Sequence, residues 1–302
     1  MTYGLWAARS AYSNYGKILV VPSKAGCPVV KALYEDIGWR ARLSLEFEFR
    51  SNRTLLTGRR HEGPLLVQRP FYPEGPVCHV YLLHPPGGVA GGDILEADLD
   101  CGPGSEALIT TPAAGKFYRS SGQFATQTVR MRVANGATLE WLPQESIVFD
   151  RARVESLTRF DIEAQSTPIG WEIICLGRPA CGEGFSNGKA KIGLEIWRSG
   201  KPLLLEKMNL DSDTIQSICG LKGRACVATM FIYPAGSDLL DQARSIAAAH
   251  RYFGATLMDG LWVCRILEDQ AEPVRDLFAL IWTSLRPALK QRQSCPPRVW
   301  AT

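Results

Sequence analysis

The sequence has 302 residues, of which 46% are hydrophobic and 21% are charged, and its formal net charge is only +4. Acidic and basic residues are interleaved, so no basic stripe indicates a nucleic acid partner, and the apolar runs are too short to span a bilayer. No basic and apolar leader opens the chain, and the nine cysteines contain no Cys-x-x-Cys pair. We therefore expect a globular cytoplasmic protein with reduced thiols and no structural zinc site.

The first 36 residues show no sustained periodicity and contain no acid before Glu35. We interpret residues 1–36 as a flexible extension and residues 37–302 as a single domain. From Trp39 onward, apolar residues alternate with polar ones in the segment 41–50, which is typical of a strand with one buried face.

Short segments of similar character follow at regular spacing. Further strands are predicted at 65–69, 77–83, 94–99, 106–111, 123–133, 137–142, 154–163, 171–176, 190–197, 202–208, 225–232 and 261–267. Asn135-Gly136 and Ser199-Gly200 each lie between two such segments, and both pairs predict a β-hairpin.

Two later segments have the period of a helix. The apolar residues of 239–247 follow Ser237 and Asp238, which are expected to cap a helix. The apolar residues of 274–285 form one face, and Pro287 is expected to end that second helix. The pattern as a whole predicts a mainly β domain with two helices in its C-terminal part.

The densest local signal is the segment 84–93, HPPGGVAGGD, with two prolines, four glycines and one acid. Such a composition requires an unusual backbone. The glycine spacing does not match the dinucleotide fingerprint, and the Lys-Ser/Thr of a phosphate-binding loop is absent. From this segment alone, Asp93 is either a turn residue at a strand-to-strand corner or a functional acid.

Several stretches resemble the urease accessory protein D family, UreD, also called UreH. In family order they are GPLLVQRPFYPE at 63–74, LHPPGG at 83–88, GGD at 91–93, TTP at 110–112, KFYR at 116–119, LEWLPQE at 139–145, FD at 149–150, LGR at 176–178, GE at 182–183 and PRVWAT at 297–302. The resemblance covers residues 39–302.

This resemblance implies a fold of helically wound β-sheets and a chaperone without enzymatic activity. Family members bind apo-urease and, with the accessory protein UreF and the GTPase UreG, deliver nickel to the dinuclear active site of urease. UreF is expected to join the chain to UreG in an assembly built on a UreF dimer. Nickel is expected to pass through an internal channel, so the chain should hold Ni²⁺ in transit and no tightly bound cofactor, and neither nucleic acid nor membrane is an expected partner.

A carrier needs ligands that bind a divalent ion and then release it, and carboxylates exchange Ni²⁺ more readily than thiolates or imidazoles do. The acids in the matching stretches are therefore candidates for a transient nickel path, with Gln144 as a neutral oxygen donor. These acids are Asp93, Glu140, Glu145 and Glu183. Each of them can equally be a turn cap or a strand-end ion pair.

Basic and aromatic residues of the same stretches are expected to hold buried acids or to face a partner. They are Arg69, Lys116, Tyr118, Arg119 and Arg178. Arg151 stands where glycine is common in the family, and an ion pair with Asp150 would neutralise that acid.

Two other functions fit the sequence. A β-rich hydrolase could use two carboxylates, such as Asp93 and Glu183, as acid and base or nucleophile. A scaffold that reshapes urease without touching nickel is the other alternative.

Overall fold

A computed structural model describes residues 38–301 and the backbone of three short strands before them. These strands are β1 (Tyr12–Ser13), β2 (Gly16–Val21) and β3 (Val29–Ala32), which pair in that order as a small antiparallel sheet. Part of the predicted extension thus contains regular structure, although its sequence lacks a long alternating pattern. The placement of residues 1–36 outside the domain stays a prediction.

Seventeen further strands build two large sheets. In chain order they are β4 (Arg40–Arg50), β5 (Arg53–Glu62), β6 (Leu66–Val67), β7 (Cys78–Leu83), β8 (Ile94–Cys101), β9 (Glu106–Thr110), β10 (Gly115–Phe117), β11 (Ala125–Val133), β12 (Thr138–Trp141), β13 (Ser146–Val148), β14 (Arg153–Ile162), β15 (Thr167–Leu176), β16 (Lys189–Arg198), β17 (Lys201–Leu210), β18 (Cys226–Ile232), β19 (Phe253–Met258) and β20 (Leu261–Glu268). The alternation predicted for β4 is confirmed from Ala41 to Phe47, where every second residue is buried.

The chain winds between the two sheets as a β-solenoid of about four turns. The outer sheet has seven strands in the order β17-β16-β14-β11-β8-β4-β5, and β4, β8, β11, β14 and β16 run parallel. The central sheet has ten strands, with the main path β19-β20-β18-β15-β12-β9-β7-β6. From β8 to β16 the chain passes from the outer sheet to the central sheet and back in each turn, so neighbouring parallel strands come from successive turns. The expected mainly β, helically wound fold is confirmed.

One of the two predicted hairpins is wrong. Asn135-Gly136 connects β11 of the outer sheet to β12 of the central sheet, so it forms a corner of the solenoid. Its backbone groups bond to the adjacent corners, with Gly104 N donating to Asn135 O at 3.2 Å and Gly136 N donating to Gln165 O at 3.0 Å. Ser199-Gly200 does form the predicted antiparallel hairpin between β16 and β17, with φ of 48° and 79°.

The described part of the chain also has three α-helices, α1 (Ser212–Gln216), α2 (Ser237–Ile246) and α3 (Ala271–Lys290), and two short 3-10 helices at Pro179–Cys181 and Arg298–Ala301. The predicted caps of α2 are wrong, because Gly236 occupies the N-cap position and Ser237 and Asp238 lie in the first turn. None of these helices has the length and apolar character needed to cross a membrane.

The predicted end of α3 at Pro287 is also wrong, since the helix continues to Lys290. A proline inside a helix leaves the carbonyl four residues earlier without its N–H donor. That carbonyl belongs to Thr283, and the Ser294 hydroxyl donates to it at 3.3 Å. The loop after the helix therefore supplies the missing donor.

The domain has three layers. One face of the central sheet packs on the outer sheet, with Leu139 and Trp141 of β12 among the buried residues. Its other face packs on α2 and α3, through Trp171, Phe278 and Trp282. Because successive side chains of a strand point to opposite faces, each strand of the central sheet contributes to both cores. The eight cysteines of residues 38–301 are all free.

Candidate functional site

A cavity of about 430 Å³ lies between the outer and central sheets. Strand residues from both sheets line it, including Leu43 and Val129 of the outer sheet and Trp141 of the central sheet. The connections 84–89 and 111–117 line it as well. Five of the stretches that carry the family resemblance thus contribute to the cavity wall, namely 63–74, 83–88, 110–112, 116–119 and 139–145.

Among the described residues, Glu172 is the acidic one that lines this cavity. Its neighbours on β15, Trp171 and Ile173, belong to the core under the helices, so Glu172 points toward the outer sheet. The Thr158 hydroxyl donates to Glu172 Oε1. Burial raises the pKa of Glu172 to about 7, and the nearby charge of Glu206 acts in the same direction. The hydrogen bond from Thr158 acts against both.

Other polar groups also face the cavity. His84 and Gln144 are among its lining residues, and burial lowers the pKa of His84, which favours the neutral imidazole. The backbone N–H of Gln144 donates to Thr111 Oγ1 at 2.9 Å, so the loop that carries Gln144 is tied to another lining segment. The indole Nε1 of Trp141 is buried and has no hydrogen-bond partner among the described residues.

Glu206 lies next to this site on β17. Its Oε1 accepts from the Thr229 hydroxyl at 3.0 Å, and its Oε2 accepts from Arg265 Nε at 2.8 Å. The side chain of Glu206 is only 10% exposed. Glu206 therefore interacts with two sides of the molecule. Its charge acts on Glu172 in the interior, and its carboxylate pairs with Arg265 at the surface.

Sequence reasoning missed both Glu172 and Glu206. Glu172 follows Trp171 in a strongly apolar strand, and a charged residue at the centre of such a strand is the signal that could have found it. Glu206 has no comparable signal, because β17 alternates like any half-exposed strand.

Asp93 holds the glycine-rich corner together. Its Oδ1 accepts from Trp39 N at 2.7 Å and its Oδ2 accepts from Ala90 N at 2.8 Å. The aspartate thereby fastens the start of β4 to the corner before β8. In the same corner, a Cβ on Gly88 would lie 2.3 Å from the Tyr118 ring, so the close approach of that ring requires glycine.

Glu140 lies on the helix side of the central sheet, away from the cavity. Arg286 of α3 donates to both of its carboxylate oxygens, with Nε to Oε1 at 3.0 Å, and Trp282 Nε1 donates to Oε2 at 2.5 Å. Arg286 also pairs with Glu74 at 2.7 Å, and His79 Nε2 lies 2.6 Å from Glu74 Oε1. These five residues form a buried network in which every carboxylate has a partner.

The charges of this network reinforce one another. Burial alone would lower the pKa of Arg286, but the charge of Glu140 and the bonds to Glu74 outweigh burial and raise it. Burial likewise acts to raise the pKa of Glu74, but hydrogen bonds from His79 and Arg286 hold it below its usual range.

Glu145 and Glu183 pair with arginines. Glu145 Oε2 lies 3.3 Å from Arg275 NH1. Arg178 Nε donates to Glu183 Oε2 at 3.0 Å, and the N–H of Asp150 donates to Glu183 Oε1 at 3.1 Å. The Arg178 guanidinium holds the pKa of Glu183 below its usual range. The expected role of Arg178 in holding an acid is thus visible in the contacts.

The expected pair of Asp150 and Arg151 is loose, at 3.8 Å. The stronger partners of Asp150 are the backbone N–H groups of Asn187 at 2.9 Å and Ser186 at 2.8 Å. Partial burial acts to raise the pKa of Asp150, but these N–H groups outweigh it and lower that pKa. Asp150 therefore fixes the loop before β16.

None of the four acids predicted from the sequence lines the cavity, whereas Gln144 does. Nor do residues 38–301 contain a ready cluster of three or more metal-ligating His, Cys, Asp or Glu side chains. The structure thus does not bring Asp93, Glu140, Glu145 and Glu183 together, and a part for them in nickel transfer stays a prediction.

The sequence matches the model of the family described as UreD urease accessory protein over residues 40–301. Among curated proteins, urease accessory protein UreD of Klebsiella aerogenes is 43% identical over 266 residues, which cover 88% of this chain and 97% of that protein. The protein of the same name from Pseudomonas entomophila is 44% identical over 268 residues, covering 88% and 96%. That from Citrobacter koseri is 43% identical over 266 residues, covering 88% and 92%.

Proposed function

Because the chain belongs to the UreD family of urease accessory proteins, its role is in urease maturation, and we propose that it acts there by passing nickel through the cavity between its sheets. It is an accessory protein and not an enzyme. In the proposed complex it binds apo-urease and UreF, and UreF connects it to UreG in an assembly built on a UreF dimer. The cytoplasmic location expected from the reduced thiols is part of the same proposal.

The observation that carries the proposal is the half-buried carboxylate of Glu172 in the cavity wall. With a pKa of about 7, Glu172 is partly protonated at neutral pH, so it can exchange a proton for a divalent cation. A carboxylate with neutral oxygen and nitrogen donors nearby binds Ni²⁺ less tightly than a set of thiolates would. Such a site suits an ion that must leave again.

The contacts of Asp93 and Glu183 weigh against the hydrolase alternative. Both oxygens of Asp93 accept backbone N–H groups, and Glu183 is paired with Arg178. Neither carboxylate is free to act as a general base. The scaffold alternative differs from nickel transfer only in whether the cavity carboxylate is needed, which an experiment can decide.

The test is the substitution Glu172→Gln in cells that also express urease, UreF and UreG. Glutamine keeps the shape and one oxygen of the side chain but loses the negative charge. We expect the variant complex to assemble with unchanged yield and to give urease with several-fold less nickel per active site. The matched control is Glu155→Gln, an exposed carboxylate of the outer sheet that pairs with Lys191.

Nickel content is compared at equal yield of the isolated complex. Full nickel loading of urease with Glu172→Gln would contradict passage through the cavity and favour the scaffold. Asp93→Asn and Glu183→Gln in the same assay test the path predicted from the sequence.

A further inference from the structure

A second, open groove of about 730 Å³ lies at the far edges of the two sheets. It is bordered by β17, the edge strand of the outer sheet, and by β19 and β20 at the edge of the central sheet. The segment 219–222, which follows α1, forms a third side.

The groove carries unpaired positive charge. Lys207, Lys222 and Arg251 line it and are exposed, and no carboxylate of the described residues lies within 4.0 Å of them. Arg265 also lines the groove, but it is paired with Glu206. The three unpaired cations thus give this surface a local excess of positive charge that the small net charge of the chain does not reveal.

Tyr252 concentrates this charge at one point. Three cations lie over its ring, with Lys222 Nζ at 5.5 Å, Arg224 Cζ at 5.1 Å and Arg251 Cζ at 5.2 Å from the ring centroid. The hydrogen bond with Arg224 and then the charge of Arg251 lower the pKa of Tyr252. Arg224 is paired with Asp269, but Lys222 and Arg251 are not compensated and repel each other, so a bound anion would relieve that repulsion.

The shape of the groove suits an extended chain. Five consecutive residues of β17, Glu206 to Leu210, border it. Because successive side chains of a strand point to opposite faces, an unbroken run can border a groove only along the edge of the strand. β17 pairs with β16 alone, but Asn209 O already accepts from the Thr214 hydroxyl at 3.1 Å, so the free strand edge beside the cations runs from Glu206 to Met208, about 10 Å.

Apolar side chains flank the same edge. Ile218, next to the groove residue Cys219, is 81% exposed, and Leu205 of β17 is 52% exposed. A free edge, alternating contacts and complementary charge are the features used when a peptide adds a strand to a sheet. A small anion would use the cations but neither the strand edge nor the apolar side chains.

We propose that this groove binds an extended acidic segment of a partner protein, which adds to β17 and places its carboxylates against Lys222 and Arg251. The proposal goes beyond nickel transfer and does not depend on it. Its test contains neither urease nor nickel, so the two can fail separately.

The test measures the fluorescence anisotropy of a labelled decapeptide of alternating Glu and Val mixed with the full chain. We expect saturable binding that weakens at least about tenfold in Lys222→Glu/Arg251→Glu. The matched control is Arg59→Glu/Arg60→Glu, which reverses two exposed cations on β5, the opposite edge strand of the same sheet. That control should bind as the unmodified chain does, and a Gln/Val peptide should not bind.

Several results would overturn the proposal. They are absence of binding to the unmodified chain, equal loss in both charge-reversal variants, or tighter binding of a single-stranded DNA of equal charge. If the groove variant does not fold, as judged by circular dichroism, Lys222→Gln/Arg251→Gln replaces it. Unchanged affinity in that neutral variant would also refute the proposal and leave Lys222 and Arg251 as edge protection against aggregation.

Discussion

Single carboxylates in this protein differ sharply in what surrounds them. Asp93 accepts hydrogen bonds from two backbone N–H groups, and Glu140 accepts hydrogen bonds from an arginine and an indole. The charges of both carboxylates are therefore compensated inside the fold. Glu172 accepts a hydrogen bond from one hydroxyl group and lies near the like charge of Glu206. Its ionised form is therefore disfavoured by the folded protein, which makes it a carboxylate that can respond to a cation.

This difference predicts an unusual pH dependence for Glu172. Its folded-state pKa of about 7 lies above the ordinary value of 4.5, so the folded protein keeps a proton that the unfolded chain releases. Ionisation then costs stability as pH rises from about 4.5 to 7, and the loss is complete above that range. Relative to Glu172→Gln, the free energy of unfolding of the unmodified chain should fall by up to about 3 kcal/mol between pH 5 and pH 8.

Urea unfolding of both proteins across this pH range measures the difference. Carboxylates with lowered pKa, such as Glu183, lose their contribution at acid pH in both proteins and cancel from the comparison. Parallel pH profiles for the two proteins would show that Glu172 has an ordinary pKa.

The sequence placed acids in the matching stretches but did not indicate which of them face the interior. Asp93 and Glu140 lie in such stretches, and their contacts show that Asp93 holds the corner and Glu140 holds the helix. Glu172 lies outside those stretches. Its side chain points inward only because the outer sheet covers that face of β15, and the local alternation of a strand contains no information about a second sheet.

At the scale of elements, strands were easier to predict than their connections. Asn135-Gly136 and Ser199-Gly200 both have a glycine at positive φ, yet only the second reverses the chain within one sheet. The same backbone conformation serves a hairpin or a solenoid corner, and the partners of the flanking strands decide between them. These partners are distant in sequence, as in the pairing of β11 with β8 and β14.

Helix α3 offers a test of how a proline is accommodated. Ser294→Ala removes the hydroxyl that donates to Thr283 O and should lower the free energy of unfolding by about 1 kcal/mol. Pro287→Ala restores the backbone N–H that the proline lacks. In that background we expect Ser294→Ala to cost clearly less, because Thr283 O keeps a donor within the helix.

The measurement is a double-mutant cycle by urea unfolding of the four proteins. An equal cost of Ser294→Ala in both backgrounds would mean that the hydroxyl does not compensate for the proline.

At the scale of the whole molecule, the winding of the sheets was predicted from the resemblance and not from periodicity. Alternation in β4 and β11 indicates a half-buried strand in a sandwich, a barrel or a solenoid alike. The family resemblance selected the solenoid among these. The three-layer arrangement follows from the composition of β12, whose alternate side chains, such as Glu140 and Trp141, face different layers.

The first 36 residues can be tested as a unit. Strands β1 to β3 pair with one another and share no ladder with either large sheet, and the family match begins at residue 40. We expect the variant lacking residues 1–36 to unfold at the same urea concentration and with the same denaturant dependence as the full chain. A lower midpoint for the truncated chain would show that these residues pack on the domain.

The buried network around Arg286 sets an order on folding during synthesis. Arg286 contacts Glu74 across 212 residues of chain, so Glu74 is translated roughly 10 to 40 s before its partner. During this interval Glu74 and Glu140 lack the cation that compensates their charges, and the helix face of the central sheet lacks its cover. The outer and central sheets can assemble on the ribosome, but the helices can pack on the central sheet only when the end of the chain has been made.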